Sequence, residues 1–397
     1  MSLLEEFENP GPLFRAAPFW AWNDKLEPEE LRRQVREHAA QGCGGYFMHS
    51  RIGLVNDYMS EDWMQCIAAC IDEGRRAGIY SWLYDEDCWP SGNFGFVLPD
   101  MGPEYQQKHL ALVVARAEEL ASNPALLDDA LKIFLADRVE GLQVTGLEDA
   151  TGREITAATL GGRVALGFVM RHWPNYIDTL SKEVVRKFIE LQYEPYAARF
   201  GQDFGEAIPG IFTDEPAYNY VMGEVVSWTE AFLIEFEARA NYDLLPHLPA
   251  LFFDISGCEK VRLDYRRVAT ALYVEAFSQQ IGEWCQAHKL VFTGHQVSED
   301  TLASQTLYIG DAMAHYEYMQ LPGIDHLTRR IAAPLLVKQL SSVAHQLGKE
   351  RTLSETYGCS GWNASFEELK RIGDWQTVLG VNLFCQHLEL YSMRGSR

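Results

Sequence analysis

The 397-residue sequence predicts a (β/α)8 TIM barrel with a small β-rich insertion after its third strand, and three observations lead there. Short apolar runs rich in aromatic and β-branched residues alternate with longer segments of helical periodicity, the order expected of β/α units closing a parallel sheet. Eight such runs occur, each ending in polar or aromatic residues, as barrel strands do where they run into catalytic loops. Between the third and fourth runs the rhythm breaks into alternating segments. The barrel is expected over residues 13–397, with the insertion at 105–171.

Pro18 to Trp22 is the first run, followed by a helix starting near Pro28, where Glu27, Glu29 and Glu30 complement the helix dipole. Gly44 to His49 is the second. The turn Gly42-Cys43-Gly44-Gly45 lies between helix and strand, the wrong order for a nucleotide fingerprint, and reads as a helix stop. Ser60 precedes a helix through Arg76 that stops at Gly78, and Ser81 to Asp85 is the third strand. Pro209 to Thr213 is the fourth; Leu290 to Gly294, Ala312 to Tyr316, Thr352 to Glu355 and Val381 to His387 complete the set. Inside the insertion, Gln107 to Ala115, Lys132 to Arg138 and Arg163 to Met170 alternate like antiparallel strands. An insertion here emerges on the catalytic face. Ser227 to His288 reads as two or three helices with a turn near Pro246.

Composition narrows the partners. A formal charge of -22 repels phosphate backbones and anionic lipid, and no basic patch offsets it, so neither nucleic acid nor a membrane surface is expected. No stretch of about 18 apolar residues is present to span a bilayer. The eight cysteines form no C-x-x-C pair and are read as buried, reduced thiols. The acidic, proline-broken start from Met1 to Pro12 lacks the form of a secretion signal, which points to the cytoplasm.

Chemistry is sought at the strand ends. Ile211-Phe212-Thr213-Asp214-Glu215-Pro216 places two acids at the end of an apolar strand, with a proline that keeps Glu215 out of helical geometry. Aromatic neighbours should raise its pKa, as suits a general acid. For Asp214, capping the next helix is the favoured reading, because cap positions favour aspartate. Thr352-Leu353-Ser354-Glu355-Thr356 delivers a second glutamate to the same face, and two carboxyl groups are what glycoside hydrolysis needs. Glu215 and Glu355 are therefore the expected catalytic pair. Trp20, Trp22, Tyr84, Trp89, Tyr218, Tyr316, Tyr318 and Trp362 supply candidate sugar-stacking faces, with Trp89 and Trp362 favoured because they sit in loops beside Gly92 and Gly361. Asp85, Glu86 and Asp87 could bind sugar hydroxyls or a calcium ion, and His49, His295 and His387 each end a strand. The expected substrate-binding set is Trp22, His49, Asp85, Glu86, Trp89, Asp214, His295, Tyr316, Trp362 and His387. No zincin helix, H-x-H strand, P-loop or G-x-S-x-G elbow occurs, so no metal ligand is assigned.

Four segments add a family resemblance: Pro18-Phe19-Trp20-Ala21-Trp22-Asn23, Gly44-Gly45-Tyr46-Phe47-Met48-His49, Leu83-Tyr84-Asp85-Glu86-Asp87 with Trp89-Pro90-Ser91-Gly92, and Leu390-Tyr391-Ser392-Met393-Arg394-Gly395-Ser396. Together they resemble glycoside hydrolase family 106, the α-L-rhamnosidases. The resemblance implies an inverting reaction, a calcium ion near the sugar, and Glu215 and Glu355 as the matching carboxylates. Family members continue into β-sandwich domains, so a chain ending at Arg397 is expected to be a compact relative or a trimmed catalytic domain. Two alternatives stay open: a non-catalytic carbohydrate-binding barrel, and a barrel lyase or isomerase on an acidic sugar, which Arg51, Arg171 or Arg394 would recognise.

Overall fold

The computed structural model describes residues 3–331 and 334–396. It comprises two compact units, Met1–Leu98 with Val185–Ala217 and Phe277–Arg397, and Pro99–Val184 with Tyr218–Ala276.

The first unit is a series of β/α repeats. Its parallel strands, taken as first to eighth in chain order, are Phe19–Trp22, Gly45–Ser50, Tyr80–Tyr84, Gly210–Asp214, Val291–His295, Gly323–His326, Leu353–Thr356 and Leu383–Gln386; the short Glu389–Leu390 pairs with the first. One sheet runs fifth, fourth, third, second, first and then Glu389–Leu390, and a second sheet runs sixth, seventh, eighth. Single backbone hydrogen bonds join the two sheets, Leu321 N to Phe292 O at 3.2 Å and Ala17 N to Phe384 O at 3.0 Å. Residues alternate across each strand, so one side collects a buried cluster containing Phe19, Phe47, Trp82, Phe212, Leu353 and Leu383. Phe19 and Phe212 lie 4.6 Å apart between ring centroids, and Phe47 and Trp82 5.1 Å apart. Burying each such side chain contributes roughly 1.5–3 kcal/mol, which makes this cluster the anchor of the strand registers.

The connecting helices follow their local signals. Ser60 Oγ accepts the Trp63 amide at 3.2 Å to start Glu61–Ala77, and Gly78 at φ 70° ends it. Helix Leu335–Leu347 buries Leu336, Val337, Leu340, Val343 and Ala344, a stripe at three- and four-residue spacing. No helix of the described residues is long and apolar enough to cross a membrane.

Two expectations fail. Ala312–Tyr316 is a helix, begun by Asp311, whose side chain accepts the Met313 amide; the sixth strand is Gly323–His326. The apolar and aromatic spacing of the segment is equally that of one helical turn, and the capping aspartate decides it. The cysteines are all free, yet Cys359 is exposed and Cys43 and Cys88 are only partly covered, because they lie in loops instead of packed elements.

The second unit carries an antiparallel sheet in the order Val225–Trp228, Gln106–Ala115, Val164–Ile177, Ala130–Ala136, Glu148–Asp149. Helices Phe232–Ala240, Pro249–Phe252 and Cys258–Tyr273 belong to the same unit. Leu120, Leu127, Leu135 and Leu160 form its core, and Lys108 and Asp178 make a buried ion pair at 3.4 Å, with Thr229 donating to Asp178 at 2.7 Å.

Candidate active site

Ionisable side chains gather where the parallel strands of the first unit run into loops. Asp214 ends the fourth strand with Glu215 next in sequence, His295 ends the fifth, Asp325 lies near the end of the sixth, and Glu355 near the end of the seventh. Register sets them level: Asp214 pairs with His295, and Asp325 with Glu355.

His295 is the hub. Its Nε2 lies 2.7 Å from Glu355 Oε2 and 3.5 Å from Asp214 Oδ1. The preceding residue must be glycine, since Gly294 stands at φ 123° and a Cβ there would come within 1.9 Å of Thr213 O. His387 Nε2 lies 3.8 Å from Glu355 Oε1, and Tyr84 Oη donates to Asp214 Oδ2 at 2.8 Å. Ser91 Oγ accepts the Asp214 amide at 2.8 Å. Glu215 sits at φ 52°, in the left-handed region. For a residue with a Cβ that conformation costs on the order of 1 kcal/mol, and it persists where surrounding structure enforces it, commonly at reactive sites.

Crowding sets the protonation states. Burial and the charge of Asp214 push Glu215 up to about 7, against the opposing pull of His295. Burial also raises Glu355 above the usual carboxylate range, while the hydrogen bond from His295 works to keep it ionised. Burial disfavours a charged imidazole at His295, but the bond to Glu355 and the charges of Asp325, Glu355 and Asp214 outweigh it and hold its pKa well above the usual range. Asp325 is raised by burial and by Glu355, Glu215 and Asp214. These groups act on one another and titrate as a set.

A cavity of about 440 Å³ opens beside Glu215 and Asp325, and Glu299, Thr301, Arg330 and Leu336 also line it. That volume is in the range of small-molecule sites. Glu299 braces the wall: Tyr316 Oη donates to its Oε2 at 2.6 Å and the Asp325 amide to its Oε1 at 2.9 Å. Burial pushes Glu299 up to about 7.

The structure brings Glu215, Glu355, Asp214, His295 and His387 of the expected set together. His49 is buried, its ring 4.7 Å from Phe19 and 4.1 Å from Tyr84. Trp22 is also buried, edge-on to Trp20 at 5.5 Å and Trp63 at 5.1 Å, so it presents no face to a ligand. Asp85 accepts from Ser91 and Tyr193, and Glu86 accepts from the amides of Asp87, Gly92, Phe94 and Gly95; both are engaged in building the loop after the third strand. Tyr316 is buried on a helix and reaches the site only through Glu299. Trp89 is 36 % exposed and Trp362 93 % exposed, the two accessible aromatic faces among the candidates. Asp325 and Glu299 were absent from the expected set. The misplaced sixth strand hid Asp325, whereas Pro322-Gly323 before Ile324-Asp325-His326 is the turn-then-strand signal that would have found it.

One group of described residues has metal-ligand spacing: donor atoms of Asp214, His295 and Glu355 all lie within 4.8 Å of one another. Calcium takes oxygen ligands. Here the imidazole stands among the carboxylates and hydrogen-bonds Glu355, so the three as arranged do not fit calcium.

Comparison with known proteins bears on this geometry. The family described as alpha-L-rhamnosidase, Glyco_hydro_106, matches residues 175–392. A protein of Formosa agariphila named "Putative beta-glucuronidase" is 26% identical over 217 residues, covering 53% of this chain and 17% of its own length. Among solved structures, a rhamnosidase from Novosphingobium sp. PP1Y superposes with a TM-score of 0.67 at 14% identity, over 99% of this chain and 56% of that one. The chain thus spans about half the length of that rhamnosidase and less than a fifth of the Formosa protein.

Proposed function

The chain belongs to the alpha-L-rhamnosidase family, glycoside hydrolase family 106, and from that premise we propose that it hydrolyses an O-glycosidic bond, with Glu215 as general acid and Glu355 as base or nucleophile. The observation that carries this reading is the placement of the two glutamates after the fourth strand and in the seventh, electrostatically coupled and both influenced by His295. An acid must hold its proton at working pH and give it up to a leaving oxygen, and a pKa of about 7 at Glu215 meets both demands. Glu355 needs the opposite state. The imidazolium of His295 at 2.7 Å stabilises its carboxylate in surroundings that otherwise favour the acid.

The two parallel sheets are read as one closed (β/α)8 barrel, with residues 105–171 inserted after the third strand. Support comes from the hydrogen bonds joining the sheets at Leu321 and Ala17 and from the buried cluster drawing on strands of both. In this reading the reacting groups lie at the carboxyl ends of the strands, where barrel enzymes carry them. Trp362 and the face of Trp89 that Arg51 does not cover are the proposed stacking faces for sugar rings.

The test is nitrophenol release from a panel of aryl glycosides, including the α-L-rhamnoside and β-D-glucuronide that the relatives' names suggest. Turnover by wild type that Glu215→Gln and Glu355→Gln both abolish, in proteins of unchanged thermal stability, is the expected result. Absence of turnover, with sugar binding that survives both substitutions, would replace the enzyme by a carbohydrate-binding barrel. Proton NMR of the first product then reads the anomeric outcome: carboxyl groups about 5–5.5 Å apart retain configuration, and about 6.5–9.5 Å apart invert it.

A further inference from the structure

Arg51 has no part in the proposed acid–base pair, though its charge acts on Glu355 and favours the carboxylate there. It follows the second strand directly, with its amide donating to Trp22 O at 3.2 Å. Its guanidinium carbon lies 4.2 Å from the ring centre of Trp89, and Nη1 approaches His49 Nε2 at 3.4 Å. Among the described residues no carboxylate forms an ion pair with it, in a chain with 56 acidic and 34 Lys and Arg side chains. Other arginines of the same unit are paired: Arg33 with Glu30, Arg36 with Glu73, Arg75 with Asp203. Arg51 is also close to the reacting groups. His49, which it approaches, packs 4.1 Å from the Tyr84 ring, and Tyr84 Oη holds Asp214 at 2.8 Å.

We propose that Arg51 recognises the carboxylate of a uronic sugar residue in the glycan bound at this site, an inference that rests on the glycosidase reading and names its substrate class. A guanidinium laid on an indole is held in a fixed plane by cation–π attraction, with its edge N–H groups free to form a bidentate pair. Trp89 is partly exposed, so this edge is within reach of a ligand. The need for a cation follows from the site's own charge. Asp214, Glu215, Asp325 and Glu355 stand together, and a sugar carboxylate entering among them would meet repulsion unless a positive group received it. His295 is engaged by Glu355, which leaves Arg51, and Arg330 on the cavity wall, as cations able to receive an anion, and of the two Arg51 is the one held against an aromatic ring. The carboxylate can belong to the ring whose bond is cleaved or to the neighbouring ring that leaves. The recognition chemistry is the same.

The deciding experiment is binding, which requires no turnover. Sodium glucuronate, sodium galacturonate, L-rhamnose and D-glucose are titrated by calorimetry against wild type, Arg51→Ala and Arg51→Lys, with thermal melts to verify folding. Wild type is expected to prefer a uronate over the neutral sugars by about tenfold or more, the value of a hydrogen-bonded charge pair. Arg51→Ala should erase that preference, and Arg51→Lys, a charge without the fork, should keep part of it. Uronates bound no better than neutral sugars, or a preference unaltered in folded Arg51→Ala, would overturn the proposal. Kinetics then separate the two placements. A tenfold rise in KM for an aryl glucuronide places the carboxylate on the cleaved ring; the same rise confined to a rhamnosyl-glucuronate disaccharide places it on the leaving ring. If uronate binding depends on Arg51 while no glycoside is cleaved, the glycosidase reading fails and this one stands. If neutral glycosides are cleaved and no uronate preference exists, this one fails alone.

Discussion

Two acidic pairs end adjacent strands, Asp85–Glu86 after the third and Asp214–Glu215 at the fourth, and strand register places Phe212 beside Tyr84 just before them. In sequence they look alike. In the structure the first pair is surrounded by donors: Ser91 and Tyr193 hydroxyls on Asp85, and four backbone amides on Glu86. In the second, Asp214 accepts from Tyr84 and lies 3.5 Å from His295, while Glu215 faces a cavity that the acids Asp325 and Glu299 share. A carboxylate that meets enough donors becomes structure. Burial raises the pKa on both sides, Glu86 to about 8 and Glu215 to about 7, but of the four acids Glu215 is the one that lines the cavity, where a ligand could take its proton.

The largest expected effect breaks the comparison at the side proposed to react. Glu215→Gln and Glu355→Gln should each lower turnover by about 10³-fold, the scale of lost acid–base catalysis, with melting temperature within a degree or two of wild type. Steady-state kinetics and a thermal melt on each variant check this; comparable loss of stability would return the residue to the structural class.

On the structural side, Glu86→Ala strips one acceptor from several buried amides. A loss of about 3 kcal/mol in urea unfolding is expected, because unsatisfied buried donors cost roughly 1–3 kcal/mol each and loop relaxation recovers some of it. Activity per folded molecule should stay within a few-fold of wild type.

The pH profile sharpens the difference further. With the acid role at Glu215 and its pKa at about 7, kcat/KM should fall tenfold per unit on the alkaline side, the limb starting near 7. A limb displaced far above 8 would move the acid role to another group.

Glu299 offers a smaller, signed effect on stability. Its folded pKa of about 7 exceeds the ordinary 4.5, so the native state keeps a proton that the unfolded chain releases. That contribution is present below about 4.5 and is lost as pH rises through about 7. Glu299→Gln should therefore flatten the fall in stability between pH 5 and 8 by on the order of 1–2 kcal/mol, measured by urea unfolding across that range. Smallest of all, Trp362→Ala should change stability by less than about 0.5 kcal/mol, since the ring is 93 % exposed, while raising KM a few-fold on an oligosaccharide if it stacks a sugar.

Much of this was legible beforehand. Seven of the eight parallel strands lie where the apolar runs placed them, because short β-branched and aromatic runs between capped helices have few other readings. The eighth reading, at Ala312–Tyr316, failed because five residues are too few to separate a strand from a helical turn, and the decisive signal was the side chain of Asp311. Glu215 and Glu355 were legible as acids ending apolar strands. Asp325 was lost with the strand that carries it, and Glu299, in the loop after His295, has no motif.

Local patterning, then, determined the succession of strands and helices, the acids at strand ends and a net charge that repels polyanions, since these depend on residue type and spacing along the chain. Tertiary structure decided what surrounds each acid. Donor counts around Asp85 and Glu86, the pairing of Asp214 with His295 and of Asp325 with Glu355, and the stacking of Arg51 on Trp89 come from residues far apart in sequence, and a pKa depends on what surrounds a group in space.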